Sequence, residues 1–544
     1  MIGKPVENIL ILQLKRMGDI VQTLPLLRRL KEEHPACRIT VVCLKEFKGI
    51  LADGAHCDRL VPIPIRDLVA LPELARQADF RDIAPFNLHG EFREQYDLLI
   101  NLSTHPGSIL LSEKIPAFRK IGCISAANGV KRIAGPWPKY AQAMINHRTE
   151  NLFNTVDMQM CMAGLLPKPL PPCLAVADEA AMDVQALMKA YGLQGDGRVI
   201  GLLMGASKAS KAWPLEKFVE LARGLIDQGG AEIVLLGDGK ERKQATRFQE
   251  MLDLDIVDLV GRTSLPQLAA ACRRCDLVVG NDTGPLHIAS AVGTRTLGLF
   301  FSTAYFAETG PYGEGHAVLQ VEISCSPCHP SSMCQVQKCK DHMDVASVRT
   351  AIDWTFTPDA EPPRTSPTLS LYRSRFLSNG SLLYAPARTD AVSNPYLSGL
   401  LGRLLWESAA GMPQDAELEA IWFSLRRHGD WGAKCYALSE TLSSIHGPVR
   451  LGLQWAAQLG AEFAKPAPNR NRIELLEGQL AGLSASLAAT GVESGLWGKL
   501  LLFEMLDMEY QAYPAMADVL ACKYGYLNDS LTRVQETLGR LSRD

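Results

Sequence analysis

No stretch of this 544-residue chain approaches the run of about 20 apolar residues that a membrane-spanning helix needs. No apolar signal core precedes the first strand either, so the expected compartment is the cytoplasm. Charge of one sign is also lacking: 56 Lys and Arg against 59 Asp and Glu leave a net charge of −3. That balance excludes bulk attraction to nucleic acid or to an anionic membrane. A local basic face built from Lys15, Arg16, Arg28, Arg29, Arg119, Lys120, Lys131 and Arg132 is one reading of the cations; a scatter of solvated charges is the other. There is no Gly-x-x-x-x-Gly-Lys-Ser/Thr loop and no Gly-x-Gly-x-x-Gly after the first strand, which argues against P-loop and nicotinamide-dinucleotide enzymes. Internal repeats and low-complexity tracts are absent. What remains is a globular composition, 47% hydrophobic, long enough for two or three domains.

The most informative stretch is 280–293, Gly-Asn-Asp-Thr-Gly-Pro-Leu-His-Ile-Ala-Ser-Ala-Val-Gly. Before it, Asp276-Leu-Val-Val-Gly280 reads as a short buried parallel strand. Asn281 to Gly284 supply capping and loop chemistry, Pro285 suits a first helical turn, and Gly293 suits the C-terminal cap. Such a strand–loop–helix junction aims backbone N–H groups and the positive dipole end at one point, where a phosphate would bind. An ordinary connection without ligand has the same pattern. The N-terminus repeats the design: Ile9–Leu14 as a strand, Lys15-Arg16-Met17-Gly18 as a loop, and a helix from near Asp19 through Ile20, Val21, Leu24, Leu27 and Leu30. Pro25 should kink that helix or shift its start, and Asp19 could be a simple cap. A third junction joins strand Arg198–Met204 to the polar loop 205–214, which carries Lys208 and Lys211, and then to a helix from Leu215 to Ile226. Lysines at a strand's carboxyl end in an α/β domain favour phosphate pairing. After strand Ile233–Gly237, the acids Asp238 and Glu241 could take ribose hydroxyls or cap a helix. Together these junctions suggest two doubly wound α/β domains facing across a cleft.

Several of these segments resemble the ADP-heptose:lipopolysaccharide heptosyltransferase family, glycosyltransferase family nine. They are Lys-x-x-Gly-Asp followed by Thr-Leu-Pro at 15–25, Ser-Lys-Ala-Trp-Pro at 210–214, Gly-Asn-Asp-Thr-Gly-Pro-Leu-His at 280–287 and Gly-Arg-Thr-Ser-Leu at 261–265. The cysteine cluster at 325–339 also recurs there, and the resemblance covers about residues 6–355. It implies the GT-B fold, with the donor nucleotide held mainly by the second domain and the acceptor by the first. It also implies an inverting transferase, soluble or peripheral at the cytoplasmic face of the inner membrane, that needs no metal for chemistry.

On the same resemblance, Asp19 is the general base that deprotonates the acceptor hydroxyl, and Gly18 lets the backbone approach the sugar beside Lys15 and Arg16. Lys211 matches the lysine that neutralises the leaving diphosphate. Ser207 matches a phosphate contact, although Ala206 stands where another hydroxyl is usual, and Lys208 falls where an arginine is common. Thr283 and Gly284 match the helix-start cradle, and Asp282 and His287 match contacts to the transferred sugar. Glu241 is carried over to the adenosine ribose. The chemistry is consistent: departure of a nucleoside diphosphate develops negative charge that lysine and helix-start amides stabilise, and a positioned carboxylate serves as base. One carboxylate rather than a flanking pair argues against glycoside hydrolysis.

Most of the 14 cysteines are singles in apolar settings and read as buried thiols, and Cys272 and Cys275 read as packing. Cys325, Cys328, Cys334 and Cys339 differ. They are either a structural zinc or iron site or plain structural cysteines. The Pro-rich run 165–172 marks a joint and 358–367 a second break, giving expected domains at 1–168, 173–357 and 368–544. Beyond the second break a hairpin is expected over 371–384, followed by helices to about Leu541, as in the spacing of Leu475, Leu476, Leu480, Leu483 and Leu487. That extension suggests oligomerisation or a grip on a protein acceptor, and it reads as modular, so a chain ending near Asp353 is expected to keep ADP binding. The leading expectation is heptosyl transfer from ADP-heptose to a lipopolysaccharide-core acceptor. Transfer to a protein acceptor, or a non-catalytic binding or assembly role, are the alternatives.

Overall fold

The computed structural model describes residues 6–410 other than 52–55, 75–89, 126–130, 146–147, 196, 333, 358 and 389–391, with isolated residues beyond them. Both expected α/β sheets form. In the first, β1 (Asn8–Gln13), β2 (Arg38–Leu44), β3 (Arg59–Ile63), β4 (Tyr96–Asn101), β5 (Ala117–Ser125) and β6 (Lys131–Ala134) lie in the order β3-β2-β1-β4-β5-β6. All pairs are parallel except β5 with β6. The second sheet contains β7 (Val199–Leu203), β8 (Glu232–Leu236), β9 (Val257–Asp258), β10 (Leu277–Asn281), β11 (Arg295–Phe300), β12 (Ala317–Val321), β13 (Leu369–Phe376) and β14 (Leu382–Pro386). Their order is β14-β13-β12-β11-β10-β7-β8-β9. Central strands such as β1 and β10 are buried over nearly their whole length, because helices cover both faces of a parallel sheet. The strand order reverses between β1 and β4 and between β7 and β10, so the loops leaving β1, β7 and β10 open at the positions where doubly wound sheets bind ligands.

Pro25 divides the first helical segment. Helix α1 (Met17–Val21) stops, and α2 (Leu24–Glu33) starts afresh with Pro25 in its first turn. Proline lacks the N–H that a continuous helix would use and is tolerated where that donor has no partner. Asp19 therefore lies inside α1 rather than capping it; the N-cap is Arg16, without a side-chain cap bond. In the second sheet's layer, α3 (Leu215–Gly229) buries Phe218, Leu221 and Leu225 and ends on the left-handed Gly230. Helices α4 (Leu265–Arg274) and α5 (Gly284–Ala291) pack on the opposite face of that sheet, and α6 (Val345–Phe356) packs on the same face as α3.

The hairpin expected after the second break forms as β13 and β14, but it does not open an accessory domain. β13 pairs antiparallel with β12 and extends the second sheet, covering an edge that would otherwise stay unpaired. The chain divides into one compact unit of residues 1–138 and 153–393 and a second of 139–152 and 394–544. Within the second unit, α7 (Asn394–Ala409) carries Arg403 and Glu407, a fully buried ion pair at 3.0 Å, and Arg403 also donates to the Leu152 carbonyl at 3.0 Å. Tyr140 stacks on Trp406 with ring centroids 4.7 Å apart. The leucine spacing at 475–487 lies outside the described residues. Among those described, no helix is long and apolar enough to cross a membrane.

Candidate active site

The two helix-start junctions recognised in the sequence meet. A Cβ on Gly18 would lie 2.7 Å from Cδ2 of His287 and 3.5 Å from Cα of Gly284, and a Cβ on Gly284 would lie 3.0 Å from the Met17 side chain. Only two glycines allow α1 and α5 to approach this closely. Asp19 is thereby delivered beside the mouth of α5, partly exposed and 3.7 Å from Lys15 Nζ. Gln13, buried at the end of β1, donates to the Asp19 carbonyl at 3.1 Å and to Thr23 Oγ1 at 2.7 Å, which ties α1 to the sheet. Arg16 lies exposed at the start of α1.

On the other side, Thr283 is the N-cap of α5, and no side chain caps the helix. Its first turn therefore keeps the electrostatics of an anion site. Lys211 and Asp282, 71 residues apart, form a close ion pair with side chains only 12% and 11% exposed. Burial alone would raise the Asp282 carboxyl, but the Lys211 ammonium, with His287 and a Thr309 hydrogen bond, holds it below the usual carboxylate range. Burial lowers the His287 pKa, and Lys211 lowers it further, against the pull of Asp282 and Asp19. The His287 ring is 5% exposed, and its Nδ1 has no hydrogen-bond partner among the described residues. The site thus holds one shielded cation, two carboxylates and an unengaged imidazole nitrogen.

Asn281, read from sequence only as loop chemistry, organises this mouth. Its Oδ1 accepts from Trp213 N at 3.0 Å, and its Nδ2 donates to the carbonyls of Met204 at 2.9 Å and Gly205 at 3.2 Å. It clamps both ends of the 205–214 loop to the end of β10. An amide supplies donor and acceptor together, but nothing local in the sequence shows which strands it bridges.

Two expected donor contacts are engaged elsewhere. Lys208, exposed, donates to the Pro330 carbonyl at 2.9 Å, and Lys340 returns a bond to the Ala209 carbonyl at 2.9 Å, so the cysteine-bearing loop is laced to the 205–214 loop. Ser207 is exposed on that loop. The Glu241 carboxylate closes a capping box with Asp238, whose N–H it accepts at 3.3 Å. It fills the space over Gly205 and Gly237, where a Cβ would lie 1.5 Å and 2.0 Å from its oxygens. Burial, helped by the Asp238 charge, pushes its carboxyl up to about 7. Of the two sequence readings the capping role is therefore the one observed.

Cys325, Cys328, Cys334 and Cys339 are free thiols, and Cys339 is buried. Cys328 Sγ donates to the Cys325 carbonyl at 3.1 Å, and the Cys334 sulfur accepts from Gln337 N at 3.3 Å. Among the described residues no group of three or more ligating side chains could hold a metal, so the zinc or iron expectation at these four cysteines finds no assembled ligand set.

Two doubly wound sheets, with helix starts from both at one mouth, are the architecture of the GT-B fold. Residues 87–339 match the profile of glycosyltransferase family 9 (heptosyltransferase). The chain is 28% identical over 314 residues to lipooligosaccharide heptosyltransferase 2 of Haemophilus influenzae, covering 55% of this chain and 84% of that protein. It is 26% identical over 332 residues to lipopolysaccharide heptosyltransferase 1 of Pseudomonas aeruginosa, covering 59% and 86%. A glycosyltransferase family 9 structure from Veillonella parvula shares the fold with a TM-score of 0.51 and 19% identity, over 65% of this chain and 98% of that one. Over residues 87–339 the chain resembles glycosyltransferase family 9, and with these relatives that likeness indicates a glycosyltransferase.

Proposed function

We propose that the protein transfers heptose from ADP-heptose to a sugar of the lipopolysaccharide core, with inversion at the anomeric carbon. The observation that carries this reading is the close approach of Gly18 to His287 and Gly284, which brings the Asp19 helix to the mouth of α5. In the reaction the acceptor hydroxyl oxygen attacks the anomeric carbon and gives its proton to the Asp19 carboxylate. The bond from that carbon to the diphosphate oxygen breaks, and ADP leaves with the electron pair. Lys211 and the first amides of α5, at Thr283 and Gly284, stabilise the departing charge. Lys211 is held by Asp282 in this structure, so binding the diphosphate exchanges one anion for another at the same ammonium. Asp282 is then released toward the sugar hydroxyls, and His287, with a free ring nitrogen, completes the sugar pocket. Lys211 and the α5 amides supply the positive charge that the chemistry requires. The lipopolysaccharide acceptor is supported by the names of the relatives, and with that acceptor our reading is of a protein working peripherally at the cytoplasmic face of the inner membrane.

Incubation with a panel of nucleotide sugars, read by mass spectrometry of the released nucleotide, tests the donor. ADP release from ADP-heptose, and little from other donors, is the expected result. Asp19→Asn should lower turnover by roughly two to four powers of ten while donor binding survives. Near-normal turnover in that variant would remove Asp19 from the mechanism.

A further inference from the structure

The starts of β7, β10 and β11 lie at the opposite end of the second sheet from the donor mouth, about 15 Å away for strands of this length. There a cleft of about 690 Å³ is lined by Arg198, Arg273 and Arg295, with Asp276 as the one carboxylate among the described lining residues and Phe356 along one wall. Asp276 is partly committed, because its Oδ2 accepts from Val199 N at 2.8 Å. Arg198 rests its guanidinium face on the Phe356 ring at 4.3 Å, which leaves its N–H edge without an acceptor among the described residues. Arg273, in the last turn of α4, has neither hydrogen bond nor ion pair among them.

The end of α6 explains part of this arrangement. Arg295 donates to the Thr355 carbonyl at 3.3 Å, and Arg373 donates to the Trp354 carbonyl at 3.3 Å, so both serve a helix C-terminus. Neither bond accounts for Arg198 or Arg273. Elsewhere on this chain arginines meet carboxylates, as in Arg29 with Glu33, Arg59 with Glu94 and Arg242 with Asp258. Here, among the described residues, three guanidiniums share one hollow with one carboxylate in a chain whose acids outnumber its bases. Burial first, and then repulsion from Arg295, lower the pKa of neighbouring Arg373 against the pull of Asp359.

We infer that this cleft is a second anion site, separate from the donor mouth, that takes a phosphate-bearing ligand through the planar donor edges of Arg198 and Arg273, with Arg295 at its rim. The phosphate could belong to a free metabolite or to a lipid headgroup, and both present the same tetrahedral acceptor oxygens. Titration of the full-length protein with inorganic pyrophosphate tests it, using the wild type, Arg198→Gln/Arg273→Gln and Lys211→Ala. Two classes of site are expected. The first weakens by about ten- to a hundredfold in the double arginine variant, the worth of one or two charge-assisted hydrogen bonds, and is untouched by Lys211→Ala. The other behaves in the opposite way. Both arginines are exposed, so the double variant should keep the wild-type unfolding midpoint. Flotation with phosphatidylcholine vesicles, with and without phosphatidylglycerol, separates the sources. Recruitment by the anionic lipid that the double variant loses assigns a headgroup, and pyrophosphate binding without recruitment assigns a free ligand. Pyrophosphate binding that is unchanged in the double variant, or confined to the site lost with Lys211, overturns the inference.

Discussion

Replacing Gly18 with alanine places a methyl group where the structure has a histidine ring. The added Cβ would stand 2.7 Å from His287 Cδ2, whereas carbon atoms in contact prefer about 3.5–4.0 Å, so about 1 Å must be found. The ring has little room to yield, being 5% exposed and beside Asp282. The strain of forcing in such a group is about 1–3 kcal/mol if the helices stay in place. If α1 instead retreats from α5, Asp19 moves with it, and a displacement of about 1 Å at a reacting group costs on the order of a hundredfold in rate. The structure favours the second outcome, because α1 is a single five-residue helix while α5 is anchored by β10 and β11. The expected result for Gly18→Ala is a turnover lowered about a hundredfold, with ADP affinity unchanged, since the proposed phosphate contacts lie on the second sheet's loops. Turnover is read from released ADP, affinity by calorimetry, and the folded state by a urea midpoint. Combining Gly18→Ala with His287→Ala should cost less than the two single losses added together, because the second change vacates the space the first requires. Wild-type turnover and midpoint in Gly18→Ala would refute the close approach of the two helices, and with it the site built on that approach.

Lys211→Ala leaves Asp282 buried without its cation, so it should lower stability by about 3–5 kcal/mol as well as weaken ADP binding; a variant with unchanged ADP affinity in calorimetry would remove Lys211 from the diphosphate site. Glu241 titrates higher in the folded chain, near 7 against an ordinary 4.5, so its folded form holds a proton that the unfolded chain releases. Its contribution to stability is therefore full below pH 4.5 and is lost as the pH rises to about 7, and Glu241→Gln should flatten that fall in urea midpoints measured across the window. A chain cut near Asp353 removes β13 and β14 and bares the edge of β12, so poor solubility is expected there rather than a free-standing transferase. Cutting after residue 393 keeps the sheet whole, and ADP calorimetry on the two truncations separates a sheet effect from a tail effect.

The local features were legible because their causes are local. Ile9–Leu12 and Val278–Val279 are apolar on both faces and became central parallel strands. Pro25 announced a break that the chain makes between α1 and α2, and Thr283 with Pro285 marked the start of α5. Caps, turns and periodicity depend on neighbours within about four residues, so they are written where they act. The resemblance then named residues for the chemistry, Asp19, Lys211, Asp282 and His287 among them, without showing which of them touch.

That part belonged to the tertiary structure. The strand orders place the loops after β7 and β10 side by side, and only then can Asn281 clamp 205–214 and Lys211 find Asp282. The contact of Gly18 with His287 joins residues far apart in the chain, and a glycine by itself does not say what approaches it. The hairpin was visible as a hairpin, but its attachment to β12 was not, since alternating strands fit more than one edge. Residues 139–152, continuous with the first domain in sequence, pack with 394–544 through Tyr140 on Trp406 and Arg403 on the Leu152 carbonyl. The sequence by itself determined the elements, their faces and the chemical inventory, because short-range sterics and hydrogen bonding decide those. Which inventory meets at one mouth was decided by sheet order and long-range packing, whose energies arise only between segments that the chain brings together on folding.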